Sequence, residues 1–320
     1  MKITIVLRTY NRPQFLREAL SSISNQFHTD WEILIFDDMG SIENFEIYSK
    51  FKAYHTENRV VYVTSTSQYE FFKKSWNDGV HLSTGDICIR LDDDDLLLPY
   101  TLEYISNLYR DNADLDFTYG SAKFFREDGT LDGGIGGRTP FESTTKNNWG
   151  PYTIPNNAPW EQPYCWFENW YSEPTPFTSI IHASRFNVLC IYHLYTFRIN
   201  RVKEVIDKIN ISSNLCDDLE FYGQLDYMGL RQAAIKDTLL LCRIHTEDRV
   251  SDLTKKSEGG LDWRGEIERV RCKVDRCREN GFVSKVVLVD TKNTIAEFDD
   301  TIAADWISRI QYDSKKYFRK

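Results

Sequence analysis

Hydrophobic and polar positions alternate along the first hundred residues in a way that predicts strands separated by helices. Short β-branched apolar runs predict the strands, and stretches with apolar side chains at helical spacing follow them. The predicted strands are 2–7, 31–36, 59–64 and 86–91, and the predicted helices cover a stretch beginning at Arg12-Pro13, the charged stretch to about 56, 73–82 and 99–109. This alternation is typical of an α/β fold with a mostly parallel sheet flanked by helices on both faces.

The pattern changes after Tyr119. A glycine-rich stretch at 132–137 and a segment rich in proline and tryptophan at 149–176 have little periodicity, and we interpret 120–176 as an elaborated loop region over the sheet. Further elements are then predicted: strands at 177–181, 234–244 and 286–289, and helices at 201–210, 217–230, 263–279 and 301–310. The sequence therefore predicts one domain over 1–258 and a mostly helical extension over 259–320.

Composition narrows the classes of protein that fit this pattern. With 41% hydrophobic and 14% aromatic residues, the chain can bury a large core. Its net charge of −9 does not favour a polyanionic partner, so a nucleic acid would need a local basic patch. No apolar stretch approaches the roughly 20 residues of a membrane span, and the apolar start is too short for a signal peptide. The seven scattered cysteines are expected to be reduced thiols of a cytoplasmic protein.

Four consecutive aspartates, Asp92 to Asp95, directly follow the fourth predicted strand. Because like charges repel, a folded chain keeps them together only where a cation or hydrogen bonds compensate. Mg²⁺ and Mn²⁺ prefer carboxylate oxygens, and they complete their shells with water and substrate phosphates. The alternative is a solvated acidic turn, or a cap for the helix at Pro99. The position at the carboxyl end of a buried strand favours the metal site.

Two further acidic pairs are weaker signals by themselves. Asp37-Asp38 ends the second strand and precedes Gly40, so it can either bind a nucleoside or form a turn with nearby backbone N–H groups. Asp217-Asp218 can act in catalysis or cap the helix that begins there.

Three blocks in the first 110 residues resemble family 2 glycosyltransferases with the GT-A fold. The blocks are ITIVLRTYNRP with the helix that follows it, WEILIFDDMGS, and SWNDG with TGD and LDDDDL. The resemblance covers roughly residues 1–110 well and then thins. It implies a Rossmann-like sheet in which 1–119 binds the nucleotide sugar, while 120–258 binds the acceptor and supplies the catalytic base.

The resemblance also implies a role for each matching residue. Asp94 and Asp92 match the acids of the DxD element, of which Asp94 is expected to bind the metal, and His245 is a further candidate metal ligand or a structural histidine. Asp218 matches the general base of inverting members; because Asp217 stands where the family has Glu, either acid can be the base. The residues expected to bind the nucleotide sugar are Thr9, Asn11, Arg8, Asp38, Asn77, Asp92 and Asp93.

Two positions depart from the family pattern. Arg8 stands where the family usually has a small residue or proline, and Trp76 stands where it commonly has a basic residue. Both are expected near the donor pocket, where Arg8 can pair with a phosphate or with the acidic run.

The predicted function is transfer of a sugar from a nucleoside-diphosphate sugar, expected to be UDP-linked, with Mn²⁺ or Mg²⁺ as cofactor. The acceptor is expected to be a glycan or a small molecule bound near aromatic residues of 149–170, although these rings can equally close a satellite core. Alternatives are the same chemistry on a modified base in DNA, a nucleotidyltransferase, and a carbohydrate-binding protein without catalysis. The lack of glycine in 7–13 argues against a nucleotidyltransferase.

Overall fold

The computed structural model describes residues 1–66, 70–126, 131–132, 194–211, 217–228, 230, 232–244, 286–289 and 294–298. The strands are β1 Ile3–Thr9, β2 Trp31–Asp37, β3 Arg59–Thr64, β4 Ile87–Asp92, β5 Leu96–Leu97, β6 Phe117–Arg126, β7 Leu131–Asp132, β8 Leu194–Arg198, β9 Gln232–Ile244, β10 Val286–Val289 and β11 Thr294–Phe298. The helices are α1 Pro13–Ser24, α2 Ile42–Tyr54, α3 Glu70–Leu82, α4 Thr101–Asp111, α5 Ile199–Lys203 and α6 Asp217–Tyr227, with a 3₁₀ turn at Ile206–Lys208.

The strands form one sheet in the order β11-β10-β9-β6-β8-β4-β1-β2-β3. The pairs β3–β2, β2–β1, β1–β4, β6–β9 and β9–β10 are parallel. Strand β8 lies between β4 and β6 and is antiparallel to both. Because β4 and β6 are both antiparallel to β8, they run in the same direction as each other. The sheet is therefore mostly parallel, and the carboxyl ends of its parallel strands lie along one edge.

The side chains of β1 alternate between two cores, one on each face of the sheet. Ile3, Ile5 and Leu7 pack with apolar residues of α1, α2 and α4, whereas Val6 packs with apolar residues of α3, α5 and α6. Arg8 has the same parity as Val6, so it points to the face covered by α3 and α6. This alternation decides which elements can contact Arg8.

Helix α3 lies very close to β1. A Cβ placed on Gly79 would come within 3.0 Å of Val6 Cγ2, so a larger residue there would require the Val6 side chain or the helix to shift by a few tenths of an ångström. Trp76 lies about one turn earlier on the same closely packed helix.

Comparison with the sequence predictions confirms the α/β class, the first four strands, the four helices of the first 111 residues, and the strands ending at Ile244 and at Val289. Strands β5, β6, β7, β8 and β11 were not predicted from the sequence. The predicted helix over 201–210 is wrong, since the helix ends at Lys203 and a 3₁₀ turn follows. Residues 120–126, predicted as loop, continue β6.

Several predictions fall outside the described residues: the strand at 177–181, the helices at 263–279 and 301–310, and most of the loop region. The described residues of the predicted helical extension are the strands β10 and β11, and β10 joins the main sheet beside β9. Among the helices that the structure describes, none is long and apolar enough to cross a membrane.

Candidate active site

Polar side chains gather where β1, β2 and β4 end at the carboxyl edge of the sheet. In the parallel register, Thr9 lies opposite Asp37 and Arg8 lies opposite Asp92. Aligned residues of neighbouring parallel strands point to the same face, so Arg8 and Asp92 meet directly. Arg8 donates from Nη2 to Asp92 Oδ1 at 3.1 Å, and Arg90 Nη2 donates to the same oxygen at 3.0 Å.

The four consecutive aspartates have different environments. The side chains of Asp92 and Asp94 are 44% and 22% exposed, whereas those of Asp93 and Asp95 are buried. The strand ends at Asp92, and a turn closed by the Asp95 N–H donating to the Asp92 carbonyl oxygen at 3.2 Å leaves the first and third acids of the run the more exposed.

The buried Asp93 carboxylate is held by two donors. Thr9 Oγ1 donates to it at 2.7 Å and Arg12 Nη1 at 3.3 Å, while the same Arg12 nitrogen contacts Asp94 Oδ2 at 2.9 Å. Burial, together with the negative charges of Asp94 and Asp92, raises the pKa of Asp93 to about 7 in spite of Arg12. Thr9 and Asp93 thus contact each other, and their roles toward a donor stay predictions.

Asp95 connects the acidic run to β9. The backbone N–H of Arg243 donates to Asp95 Oδ1 at 3.4 Å, and burial beside Asp94 and Asp92 raises the pKa of Asp95 well above its ordinary value. The result is a carboxyl group that steadies the turn after β4.

Arg243, which the sequence analysis did not single out, supports the same turn. Its guanidinium lies 4.6 Å from the Phe15 ring centroid and 4.5 Å from that of Phe125, and it pairs with the buried Glu18. Its Nε also donates to the backbone oxygen of Asp94 at 3.3 Å. The signal in the sequence was a charged residue inside the apolar end of β9, because such a charge is buried only when it is paired.

Asp217, the first residue of α6, is buried among three donors. Trp76 Nε1 donates to its Oδ2 at 2.6 Å, Arg8 Nη1 donates at 2.7 Å, and Arg90 Nη2 lies 3.7 Å away. Burial raises the pKa of Asp217 to about 6, although Arg90 and the Trp76 N–H favour the charged form. Trp76, a departure from the family pattern, is therefore a partner of one of the predicted catalytic acids.

Asp218 follows at the second position of α6 and is half-buried. Burial raises the pKa of Tyr195, and the negative charge of Asp218 raises it further; burial would lower the pKa of Arg90, but the charges of Asp92, Asp217 and Asp218 raise it. Tyr195 stacks on Tyr222 of α6 with ring centroids 4.0 Å apart. Asp218 thus lies at the rim of the same charged cluster, beside a stacked aromatic pair.

Asp37 and Asp38, in the turn after β2, both accept hydrogen bonds from neighbouring residues, and a role of Asp38 toward a nucleoside stays a prediction. Asp37 accepts from Asn44 Nδ2 at 3.0 Å and from the Tyr62 hydroxyl, so it forms the turn. Asp38 accepts from Ser65 Oγ at 3.1 Å. Burial raises the pKa of Asp37, and its Oδ1 is buried with no hydrogen-bond partner within the described part of the chain.

Three predicted site residues remain: Asn11, Asn77 and His245. Asn11 is exposed in the β1–α1 turn with φ of +49°, and Asn77 follows Trp76 on α3. His245 lies outside the described residues. Within the residues that are described, no group of three or more side chains is arranged to hold a metal ion by itself.

The sequence of this chain is similar to a known protein family and to individual known proteins. The sequence model of glycosyl transferase family 2 matches residues 4–169, which is 166 of the 320 residues. An uncharacterized glycosyltransferase of Mycoplasma pneumoniae is 38% identical over 127 residues, covering 36% of this chain and 39% of the relative. The GalNAc(5)-diNAcBac-PP-undecaprenol beta-1,3-glucosyltransferase of Campylobacter jejuni is 29% identical over 97 residues, covering 30% of this chain and 31% of the relative.

Among solved structures, S. aureus TarS 1-349 in complex with UDP-GlcNAc is similar with a TM-score of 0.51 and 12% identity, covering 88% of this chain and 73% of that chain. At that identity the likeness shows the fold alone. The chain spans less than half the length of the curated relatives that it matches.

Proposed function

The chain belongs to glycosyl transferase family 2, and from that premise we propose that it transfers a sugar from a nucleoside-diphosphate sugar to an acceptor hydroxyl with inversion. The observation that carries the proposal is the meeting of the Asp38 turn, the acidic run and Asp218 at one edge of the sheet. Ligands of open parallel sheets bind beyond the carboxyl ends of the strands, and this edge holds all three predicted elements. The complex of TarS with UDP-GlcNAc supports a UDP-linked donor.

The proposed division of labour follows the position of each acid. Asp38, at the end of β2, is the proposed contact to the nucleoside, and Asp92 and Asp94 face the diphosphate. We propose that residues 1–119, which include these three acids, bind the donor. Residues 120–258 are proposed to bind the acceptor and to supply the base.

The chemistry requires a base and a charge balance. As the acceptor oxygen bonds to the anomeric carbon, the bond from that carbon to the diphosphate oxygen breaks, and the leaving group takes the electron pair. Asp218 is the proposed base that accepts the proton of the acceptor hydroxyl. Asp217 is buried whereas Asp218 is half-buried, which supports Asp218 over Asp217 as the acid that an acceptor can reach.

The residues at the acidic run fit a divalent ion. Asp92 and Asp94 present hard carboxylate oxygens that are partly exposed, and Mg²⁺ or Mn²⁺ needs only one or two carboxylates when phosphates and water complete the shell. The ion, when bound, would offset the negative charge that develops on the diphosphate. Arg12 now pairs with Asp94 and would release it to the ion.

The acceptor is proposed to be a glycan or a small molecule. The Campylobacter relative, by its name, acts on an undecaprenol-linked glycan, which favours a glycan for this chain as well. The net charge of −9 argues against DNA.

A donor panel tests the proposal. Purified protein is incubated with UDP-, GDP-, CDP- and dTDP-sugars and Mn²⁺ without an acceptor, and nucleotide release is measured. We expect slow hydrolysis of one donor, lost with EDTA and reduced by about 100-fold or more in Asp94→Asn. Asp111→Asn, at the exposed end of α4, is the matched control and should keep wild-type turnover. Absence of metal-dependent binding for every nucleotide would refute the proposed function.

A further inference from the structure

The two residues that depart from the family pattern meet at a single oxygen atom. Trp76 Nε1, from α3, lies 2.6 Å from Asp217 Oδ2, and Arg8 Nη1, from β1, lies 2.7 Å from the same oxygen. Arg90 of β4 approaches it to 3.7 Å. The first residue of α6 is therefore held from three other elements of the fold.

Trp76 contacts α6 at a second point. Its ring stacks on Phe221 with centroids 4.2 Å apart and planes 15° apart, and the Arg90 guanidinium lies 4.5 Å from the indole centroid. Phe221 is four residues after Asp217, so it lies about one helical turn further along α6. One buried side chain thus fixes both the start and the second turn of this helix.

Arg8 and Arg90 connect the same helix to the donor edge. Besides their contacts with Asp217, both guanidinium groups contact Asp92 Oδ1, at 3.1 Å and 3.0 Å. Two cations and two carboxylates balance in charge, and three of these four groups, Arg8, Arg90 and Asp217, are largely buried. Moving the start of α6 would therefore break contacts to the acidic run as well.

We propose that Trp76, Arg8 and Asp217 form a clamp that positions Asp218 for proton abstraction. This inference rests on the proposed function, because it takes Asp218 as the base. Asp218 is the next residue in α6, so the direction of its carboxylate follows from how Asp217 is held. Trp76 and Asp217 are then positioning residues, and a displacement of about 1 Å in such a site costs on the order of 100-fold in rate.

Trp76→Phe tests the clamp because it keeps a ring to stack on Phe221 and removes the N–H that holds Asp217. With the donor that the wild-type protein hydrolyses, we expect turnover to fall by about 10- to 100-fold, while the donor KM and the UDP dissociation constant change by less than about twofold. Trp31→Phe is the matched control, since Trp31 is also buried but packs against Phe51 and His55 away from the site. It should keep wild-type turnover.

A second variant shows whether Trp76 acts through Asp217. Asp217→Asn should lower turnover in the same way, and the double variant Trp76→Phe/Asp217→Asn should be no slower than the slower single variant. If the turnover loss of the double variant equals the product of the two single losses, the two residues act independently. That result would overturn the proposal that Trp76 acts through Asp217. Hydrogen exchange over 217–222 measures the clamp independently of activity, and it should become faster in Trp76→Phe and stay unchanged in Trp31→Phe.

The possible failures are distinguishable. Faster exchange in Trp76→Phe with unchanged turnover would make the clamp purely structural and overturn its positioning role. Unchanged exchange together with unchanged turnover would overturn the clamp itself. A wild-type protein that binds no UDP and hydrolyses no donor would overturn the proposed function, and with it the role of the clamp in that function.

Discussion

Two buried acidic clusters lie at opposite edges of the same sheet, and their charges are compensated differently. At the amino edge, Glu32 of β2 accepts from Thr4 Oγ1 and from the backbone N–H of Thr84, both at 2.6 Å. Lys2 and Arg59 pair with its other oxygen at 3.0 Å and 3.2 Å. Burial by itself would raise the pKa of Glu32, but these hydrogen bonds outweigh burial and lower it to about 2.

At the carboxyl edge, burial outweighs the hydrogen bonds and ion pairs, so the pKa values of the acids are raised and not lowered. Burial raises the pKa of Asp93 to about 7 and that of Asp217 to about 6, even though arginines contact both groups. Asp92 adds negative charge to both, so the ionised forms are less well compensated than in the Glu32 cluster.

Glu32 is a structural acid, whereas the acids of the carboxyl edge are the ones proposed to bind the donor. Glu32 has donors for its charged form within the fold and needs nothing further. The carboxyl edge concentrates more negative charge than its arginines neutralise, and such perturbed acids cluster where a ligand or a reaction completes the balance. This difference supports placing the donor at the carboxyl edge.

The largest expected effect comes from the proposed base. Asp218→Asn should lower turnover by about 100- to 10,000-fold, because the amide cannot accept the acceptor proton. UDP affinity, measured by calorimetry, should change by less than about twofold. An equal loss of UDP binding would instead assign Asp218 a structural role.

The structural cluster should respond in stability and not in turnover. Glu32→Gln replaces an acceptor by an amide that cannot satisfy all of its donors, so the free energy of unfolding should fall by about 1–3 kcal/mol. Urea denaturation at pH 7 measures this loss, and turnover of the folded variant should equal that of the wild type. A turnover loss as large as that of Asp218→Asn would contradict the contrast between the two edges.

The pH dependence of stability provides a second measurement on the Glu32 cluster. The pKa of Glu32 is lowered from 4.5 to about 2 in the folded protein, so between these values the unfolded chain binds the extra proton. The wild-type free energy of unfolding should therefore fall as pH drops from about 4.5 to 2, and this part of the slope should be missing in Glu32→Gln. Denaturant titrations of both proteins across that range provide the check, and parallel slopes would count against the assignment.

The order of the elements in the first 111 residues could be predicted because each carries its own local signal. Strands β1 to β4 are apolar runs, and α1 follows the proline at position 13 with apolar residues at helical spacing. The same signals place Asp37, Asp38 and Asp92 at strand ends. Strands β6 and β8 were not predicted, and their pairing is seen only in the fold, where Phe117 pairs with Phe197 and with Gln232.

The sequence by itself thus determined the α/β class, the positions of the acids at strand ends, and the two departures from the family pattern at Arg8 and Trp76. Only the tertiary structure decided that both departures converge on Asp217, 209 residues from Arg8 and 141 from Trp76. The physical reason is the parity of β1 and the close approach of α3 at Gly79, which bring these side chains to one face of the sheet. Residue type and spacing along the chain do not show that these side chains contact each other.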